Sequence, residues 1–95
     1  MSERLDSAAE ALREKMSGSG FSGSVRFDMS DDGVLHVEDE TVTTGDGEAD
    51  CTITASMETF REMFEGGLDP TSAFMTGKIK IDGDMGVAMR LAQIL

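Results

Sequence analysis

Several residue types that cross-link chains or build active sites are scarce in this sequence of 95 residues. It contains one Cys, one His and one Pro, and neither Trp nor Tyr. A single cysteine cannot form an internal disulfide, and no cysteine spacing typical of a zinc site is present. Cys51 has no neighbouring base or cationic cluster in the sequence that would activate a thiol. We therefore expect Cys51 to be a small core residue, and His36 to be a surface or hydrogen-bonded strand residue.

Basic residues are also few. The 8 Lys and Arg residues are outnumbered by 19 Asp and Glu residues, which gives a formal net charge of −11. Nucleic-acid binding needs clustered positive charge, so this balance argues against it, and it also argues against tight docking on anionic membranes. Strong negative charge favours a monomer or at most a weak dimer.

Long apolar runs are absent. No stretch approaches the roughly 20 apolar residues that span a bilayer. Residues 1–16 carry charges throughout, unlike a signal peptide. The sequence therefore predicts a cytoplasmic protein with no stable membrane insertion.

The spacing of apolar residues predicts four helices. We expect an amphipathic helix over residues 3–16, a second helix after Ser56, a short third helix from Asp69-Pro70, and a last helix after Asp84. Ser and Asp cap the free N–H groups of a first turn, and Pro fits the first helical position. Ser2 is expected to cap the first helix in the same way. One face of the last helix is expected to carry Met85, Ala88, Met89, Ala92 and Leu95.

Alternation of apolar and polar residues predicts five short strands. They read SVRFDMS, VLHVE, TVTT, CTITA and KIKI, and turns rich in Asp and Gly at 31–33, 45–48 and 82–84 separate several of them. We expect the first four strands to form an antiparallel meander. The fifth should return after the helices, with Lys78 and Lys80 facing solvent. The fold class is α+β: residues 1–95 form one domain, a single five-stranded, mostly antiparallel sheet with helices packed on one face.

The acidic residues do not form a persuasive catalytic or metal site. Pairs such as Asp82 and Asp84 lie in turns, which rarely give the burial that catalysis by paired carboxylates requires. Residues 28–39 have part of the spacing of a calcium loop, but predicted strands rather than helices flank it, and position twelve is Asp39 instead of Glu. We therefore expect no metal, no cofactor and no enzymatic activity.

Apolar side chains dominate the second half of the chain. Its predicted helices carry Met57, Phe60, Met63, Phe64, Phe74, Met75, Met85 and Met89. Helical spacing of this kind is typical of an ordinary core. Methionine is also unbranched and deformable, and it is frequent on surfaces that accept varied ligands. An adaptable apolar pocket is therefore the second interpretation.

The run GLDPTSAFMTGKIKIDGDMGVAMRL, residues 67–91, resembles the most recognisable motif of the sterol carrier protein type 2 domain. It has an Asp-Pro helix start, a Gly-Lys pair before alternating Ile and Lys, and a Gly-Asp pair before an amphipathic helix. ASMETFREMFEG, residues 55–66, resembles the helix that precedes this motif. The chain ends with QIL, whereas peroxisomal members end with a targeting tripeptide.

This resemblance implies that the sheet and helices enclose a hydrophobic tunnel. It also implies non-enzymatic binding and transfer or sequestration of a lipid, which could be a fatty acid, fatty acyl-CoA, sterol or phospholipid, with that lipid as the only ligand. The alternative is a protein–protein interaction or dimerisation module of the same fold. From their helical positions, the residues expected to contact the lipid are Phe60, Met63, Phe64, Phe74, Met75, Met85 and Met89.

Overall fold

A computed structural model describes residues 3–29 and 32–95. The expected cap at Ser2 and part of the expected turn at 31–33 lie outside these residues. The helices are α1 (Glu3–Met16), α2 (Met57–Phe64), α3 (Pro70–Met75) and α4 (Met85–Ile94). The strands are β1 (Ser24–Asp28), β2 (Val34–Glu38), β3 (Thr41–Thr44), β4 (Cys51–Thr54) and β5 (Lys80–Gly83).

The predicted helix starts are confirmed by their caps. The Ser56 side chain accepts a hydrogen bond from the backbone N–H of Thr59 at 3.2 Å, and the Asp69 carboxylate accepts one from Ser72 at 3.2 Å with Pro70 as the first helical residue. The Asp84 carboxylate accepts two, from Gly86 and Val87, at 2.8 and 3.2 Å. Each cap satisfies N–H groups that have no partner within the helix.

The five strands form one mixed sheet in the order β3-β2-β1-β4-β5. The α+β class is confirmed, and three of the four pairings are antiparallel. The expected meander is wrong, because β4 does not pair with β3. It pairs in parallel with β1 instead, with Val25 opposite Cys51 and Phe27 opposite Ile53.

The connection from β3 to β4 explains this difference. Residues 45–50 lie against the outward side chains of β1 and β2 instead of closing a hairpin. Arg26 donates to Asp46 at 2.6 Å, which holds the pKa of that carboxyl below its usual range, and His36 Nε2 lies 2.7 Å from the Glu48 carbonyl oxygen. These contacts carry the chain past the central strands to the far side of β1. Alternation within a strand does not specify its neighbour, so the pattern could not reveal this route.

Strand β5 begins two residues later than the sequence pattern indicates. The backbone N–H of Lys78 donates to the Ala73 carbonyl at 2.8 Å, and that of Gly77 donates to Phe74 at 3.2 Å. With Gly77 at φ +79°, these bonds form a Schellman motif that ends α3. Lys78 therefore belongs to the end of the helix and cannot pair with β4. Lys78 and Lys80 are both exposed, as expected.

The helices cover one face of the sheet, as predicted. The side chains of Val25, Phe27, Leu35 and Val37 are fully buried beneath them, whereas the alternate residues of the same strands are half-buried or exposed. Helix α1 contributes Ala8, Ala9, Leu12 and Met16 to this core, all fully buried. The opposite face carries polar side chains such as Arg26 and His36.

Candidate functional site

An apolar groove lies between α3, α4 and the β4–β5 edge of the sheet. Its cavity volume is about 30 Å³. Thr71 supplies the one polar side chain among the residues that line it. The lining residues are Ile53, Met63, Pro70, Thr71, Phe74, Ile79, Ile81, Ala88, Met89, Leu91, Ala92 and Leu95.

The groove has a buried floor and an exposed rim. Ile53, Ile79 and Leu91 at the floor are between 0% and 4% exposed. Phe74 on α3 and Met89 on α4 form part of the rim and are 42% and 48% exposed. A hydrophobic molecule that entered between these two helices would therefore meet apolar atoms along its whole path.

The structure separates the seven residues proposed for lipid contact into three environments. Met63, Phe74 and Met89 line the groove. Met75 and Met85 do not line it, and their side chains are 79% and 42% exposed on the surfaces of α3 and α4. Met75 follows Phe74 directly, and a rotation of about 100° per residue turns its side chain away from the groove.

The remaining two of the seven, Phe60 and Phe64, lie in the core between α2 and the sheet. Their rings make edge-to-face contacts with Phe27, with centroids 5.2 and 5.5 Å apart, and stack on each other at 5.8 Å. Edge-to-face pairs of this geometry stabilise a core beyond simple burial. The exposed fractions of Phe60 and Phe64 are 0% and 1%, and neither residue lines the groove.

Sequence reasoning missed most of the groove's smaller side chains. Ala88, Ala92 and Leu95 were assigned to the inward face of α4, but the lipid-contact set contained only large residues. The predicted inward face of α4 also omitted Val87, which is buried. In the structure this face is centred on Val87, Ala88 and Leu91, and Met85 lies at its edge. The strand alternation that turns Ile79 and Ile81 inward was the signal that could have located the groove floor.

A second, polar cleft lies on the other side of α4. It has a volume of about 400 Å³ and is lined by residues 19–22 together with Arg90, Gln93 and Ile94. Arg90 already donates to the Ser22 carbonyl at 3.2 Å. The Glu40 carboxylate accepts from the N–H groups of Gly18 and Gly20 at 3.3 and 2.7 Å. This carboxylate beside the loop disfavours an anionic ligand there.

Cys51 is not set up as a nucleophile. The pKa of its thiol is raised to about 11, chiefly by burial and to a smaller extent by the nearby carboxylates of Asp84 and Asp50. The reactive thiolate is therefore scarce at neutral pH. Within residues 3–29 and 32–95, no three His, Cys, Asp or Glu side chains are grouped so that they could hold a metal ion. None of the helices in those ranges has the length and apolar character needed to cross a membrane.

Comparison with known proteins places this geometry in context. The model of the SCP-2 sterol transfer family matches residues 2–95. The chain belongs to this family. Among curated members, it is 47% identical over 49 residues to human sterol carrier protein 2, which covers 52% of this chain and 9% of that protein. It is 40% identical over 65 residues to hydroxysteroid dehydrogenase-like protein 2 from Danio rerio, covering 64% of this chain and 16% of that protein. The chain therefore spans a small part of these relatives.

Solved structures share the same fold. The crystal structure of sterol carrier protein 2 like 2 from Aedes aegypti has a TM-score of 0.78 at 20% identity, over 97% of this chain and 96% of that one. The solution structure of Aedes aegypti sterol carrier protein 2 in complex with palmitate, a C16 fatty acid, has a TM-score of 0.74 at 15% identity, over 98% of this chain and 94% of that one. At identities of 20% and 15%, these matches show that the SCP-2 chain and the two solved proteins share the same arrangement of helices and strands.

Proposed function

We propose that this SCP-2 chain binds the acyl chain of a lipid in the groove between α3 and α4, and transfers or sequesters that lipid without reacting with it. The observation that carries the proposal is the groove lining, in which Thr71 is the one polar side chain. A related insect protein of the same fold is solved in complex with palmitate. Fatty acids and fatty acyl-CoA are the first ligands to test, followed by sterols and phospholipids.

The side chains available to a bound lipid favour a carrier that does not react with it. An acyl chain needs apolar contacts along its length and no reactive group, and Cys51 is held as a protonated thiol by burial. The net charge of −11 opposes self-association and supports a monomer or weak dimer. A cytoplasmic location stays a prediction.

The groove must widen to hold a long-chain lipid. Its volume of about 30 Å³ is a tenth of the roughly 300 Å³ at which ligand pockets begin. Helix α3 is the element best suited to move, because Pro70 and Ala73 are its buried residues. A short helix held by few buried apolar groups belongs to the less stable part of a fold. We expect α3 to shift outward from α4 when an acyl chain enters.

A bulky side chain placed inside the groove tests this function. Ala92 is half-buried and lines the groove, so Ala92→Phe should fill the space that the acyl chain needs. Delipidated protein is titrated with oleate by isothermal calorimetry, since the chain has no Trp or Tyr for intrinsic fluorescence. We expect the oleate Kd to rise by at least about tenfold, which corresponds to about 1.4 kcal/mol.

The matched control is Gln93→Phe, which adds the same ring at the next position of α4. Gln93 is exposed and lines the polar cleft instead of the groove. The Gln93→Phe variant should bind oleate with the same Kd as the unmodified protein. If both variants bind oleate equally well, the ligand does not occupy the groove. If the unmodified protein binds none of the lipids tested, the carrier function itself is refuted.

A further inference from the structure

Helices α3 and α4 carry an exposed apolar surface. Within residues 3–29 and 32–95, four large apolar side chains are exposed, and all four lie on these two helices. We call them the α3–α4 patch; its members are Phe74, Met75, Met85 and Met89. Phe74 and Met89 also form part of the rim of the groove, so the patch includes residues at its mouth. An exposed cluster of this kind at the opening of an apolar site marks a contact surface.

The charge of the chain is distributed in a way that favours this surface for membranes. Residues 69–95 contain three acidic and three basic side chains, so the net charge of −11 is carried entirely by residues 1–68. The basic side chains are Lys78, Lys80 and Arg90, and all three are exposed. Lys78 lies directly after α3, in the Schellman motif that ends this helix. A long basic side chain beside an apolar surface can reach the phosphates of a bilayer while its stem remains in apolar contact.

We propose that the α3–α4 patch docks on the surface of an electrically neutral, zwitterionic bilayer and presents the mouth of the groove to its lipids. This inference rests on the proposed carrier function for its purpose, because a lipid that enters between α3 and α4 must pass this surface. An anionic bilayer is disfavoured by the long-range repulsion of the acidic remainder of the chain. The apolar face of α1 cannot serve instead, since Ala8, Ala9, Leu12 and Met16 are fully buried in the core.

A second copy of the chain fits the patch less well. Two copies would each bring a charge of −11, which opposes their association. Standard protein interfaces use roughly 20–30 residues on each side, far more than the four large side chains of the patch. A bilayer requires no matching surface and accepts a few inserted apolar side chains.

Met75 separates docking from ligand binding. Its side chain is 79% exposed, the largest value in the patch, and it does not line the groove. Met75→Asp should therefore remove an inserting group without changing the cavity. The matched control is Thr44→Asp, which makes the same change in net charge at an exposed position on β3, the opposite edge of the sheet from β5.

Cosedimentation of the full chain with vesicles is the test. Vesicles of phosphatidylcholine alone are compared with vesicles that also contain phosphatidylglycerol, and transfer of a fluorescent fatty acid to each is followed over time. We expect stronger association with phosphatidylcholine alone. Met75→Asp should weaken that association about tenfold and slow transfer, while its fatty-acid affinity without vesicles stays unchanged. Thr44→Asp should match the unmodified protein.

The contrary outcomes are distinct. Equal vesicle association by Met75→Asp and Thr44→Asp would overturn the proposal. A second contrary outcome is a dimer of the unmodified chain, detected by native mass spectrometry. If Met75→Asp dissociates this dimer but leaves vesicle association unchanged, the proposal is also overturned, because the patch then joins two copies of the chain. A protein that docks on vesicles through Met75 but binds no fatty acid would support the docking surface and refute the carrier function.

Discussion

Methionine occupies three different environments in this chain. Met16 and Met63 are buried in the core, Met89 is half-exposed at the rim of the groove, and Met75 is almost fully exposed. The same flexible, apolar side chain therefore serves as core filler, as groove rim and as surface contact. Its three rotatable bonds allow the rim to adjust to ligands of different shape at little cost.

Removal of the Met89 side chain should distinguish a rim residue from a core residue. We expect Met89→Ala to lower the free energy of unfolding by about 1 kcal/mol or less, because the side chain is 48% exposed. It should also weaken oleate binding about fivefold, equivalent to about 1 kcal/mol of lost apolar contact. Urea unfolding and calorimetric titration measure the two effects.

Leu91→Ala is the comparison for this prediction. Leu91 lies two residues further along α4 and is fully buried at the groove floor, so its truncation should cost about 2–5 kcal/mol. If Met89→Ala destabilises the protein as much as Leu91→Ala and leaves oleate affinity unchanged, Met89 is a core residue and the rim has been misassigned.

At the scale of elements, the backbones of β5 and β4 approach closely where β5 ends beside the start of β4. Gly83 pairs with Cys51, and a Cβ at Gly83 would lie 2.5 Å from the Asp50 carbonyl oxygen and 2.9 Å from the Cys51 Cα atom. Its φ of +101° also belongs to a region that other residues rarely adopt. This contact allows Asp84 to donate its N–H to the same carbonyl at 2.9 Å, which fixes the start of α4.

Gly83→Ala should therefore disturb both β5 and α4. We expect it to lower the free energy of unfolding by more than the roughly 1–3 kcal/mol that the backbone conformation alone costs, because the methyl group also meets backbone atoms. Amide hydrogen exchange should show faster exchange in β5 and in the first turn of α4. The readouts are thermal unfolding and exchange monitored by NMR.

Gly67→Ala is the control for this change. A Cβ at Gly67 would meet the Glu62 carbonyl oxygen at 3.7 Å, an ordinary contact, and its backbone is not in the left-handed region. Its stability should stay within about 0.5 kcal/mol of the unmodified protein. If Gly83→Ala and Gly67→Ala had equal stability, the two strands β4 and β5 could move apart at this end without a cost in free energy.

At the scale of the whole molecule, the small groove volume has an energetic reason. A rigid void of about 300 Å³ would cost roughly 7 kcal/mol at 24 cal/mol per Å³, which is comparable with the 5–15 kcal/mol total stability of a typical protein. At about 30 Å³ the same estimate falls to roughly 0.7 kcal/mol. A chain of this size gains by closing α3 and α4 over the groove whenever no lipid holds them apart.

Lipid removal should consequently have a measurable effect on stability. Protein stripped of copurified lipid should melt at a lower temperature, and oleate should restore the transition. At 100 times its Kd, a ligand adds about 2.7 kcal/mol, which corresponds to about 10–20 °C in a domain of this size. Differential scanning calorimetry before delipidation, after it and with added oleate provides the measurement. If the melting temperature is the same before delipidation, after it and with added oleate, lipid binding by the folded chain is contradicted.

The sequence by itself determined which local elements form and where the helices after Ser56, Asp69 and Asp84 begin. Asp69 and Asp84 cap helices with their own carboxylates, and the Pro70 ring fits the first helical position. The alternation of buried Ile79 with exposed Lys78 and Lys80 orients that segment. These features depend on residues a few positions apart, so they can be read directly from the chain. The motif at 67–91 also indicated the SCP-2 family before any geometry was known.

Only the tertiary structure decided which strand β4 joins and which apolar residues line the groove. The position of β4 depends on contacts of Asp46 with Arg26 and of Glu48 with His36, which are 20 and 12 positions apart in sequence. Likewise, Phe60 and Met63 look equivalent on α2 by spacing, but Phe60 packs on Phe27 while Met63 reaches the groove. A helical period gives the direction of a side chain relative to its own axis. It does not specify what the opposing elements place there, because that depends on packing between segments distant in sequence.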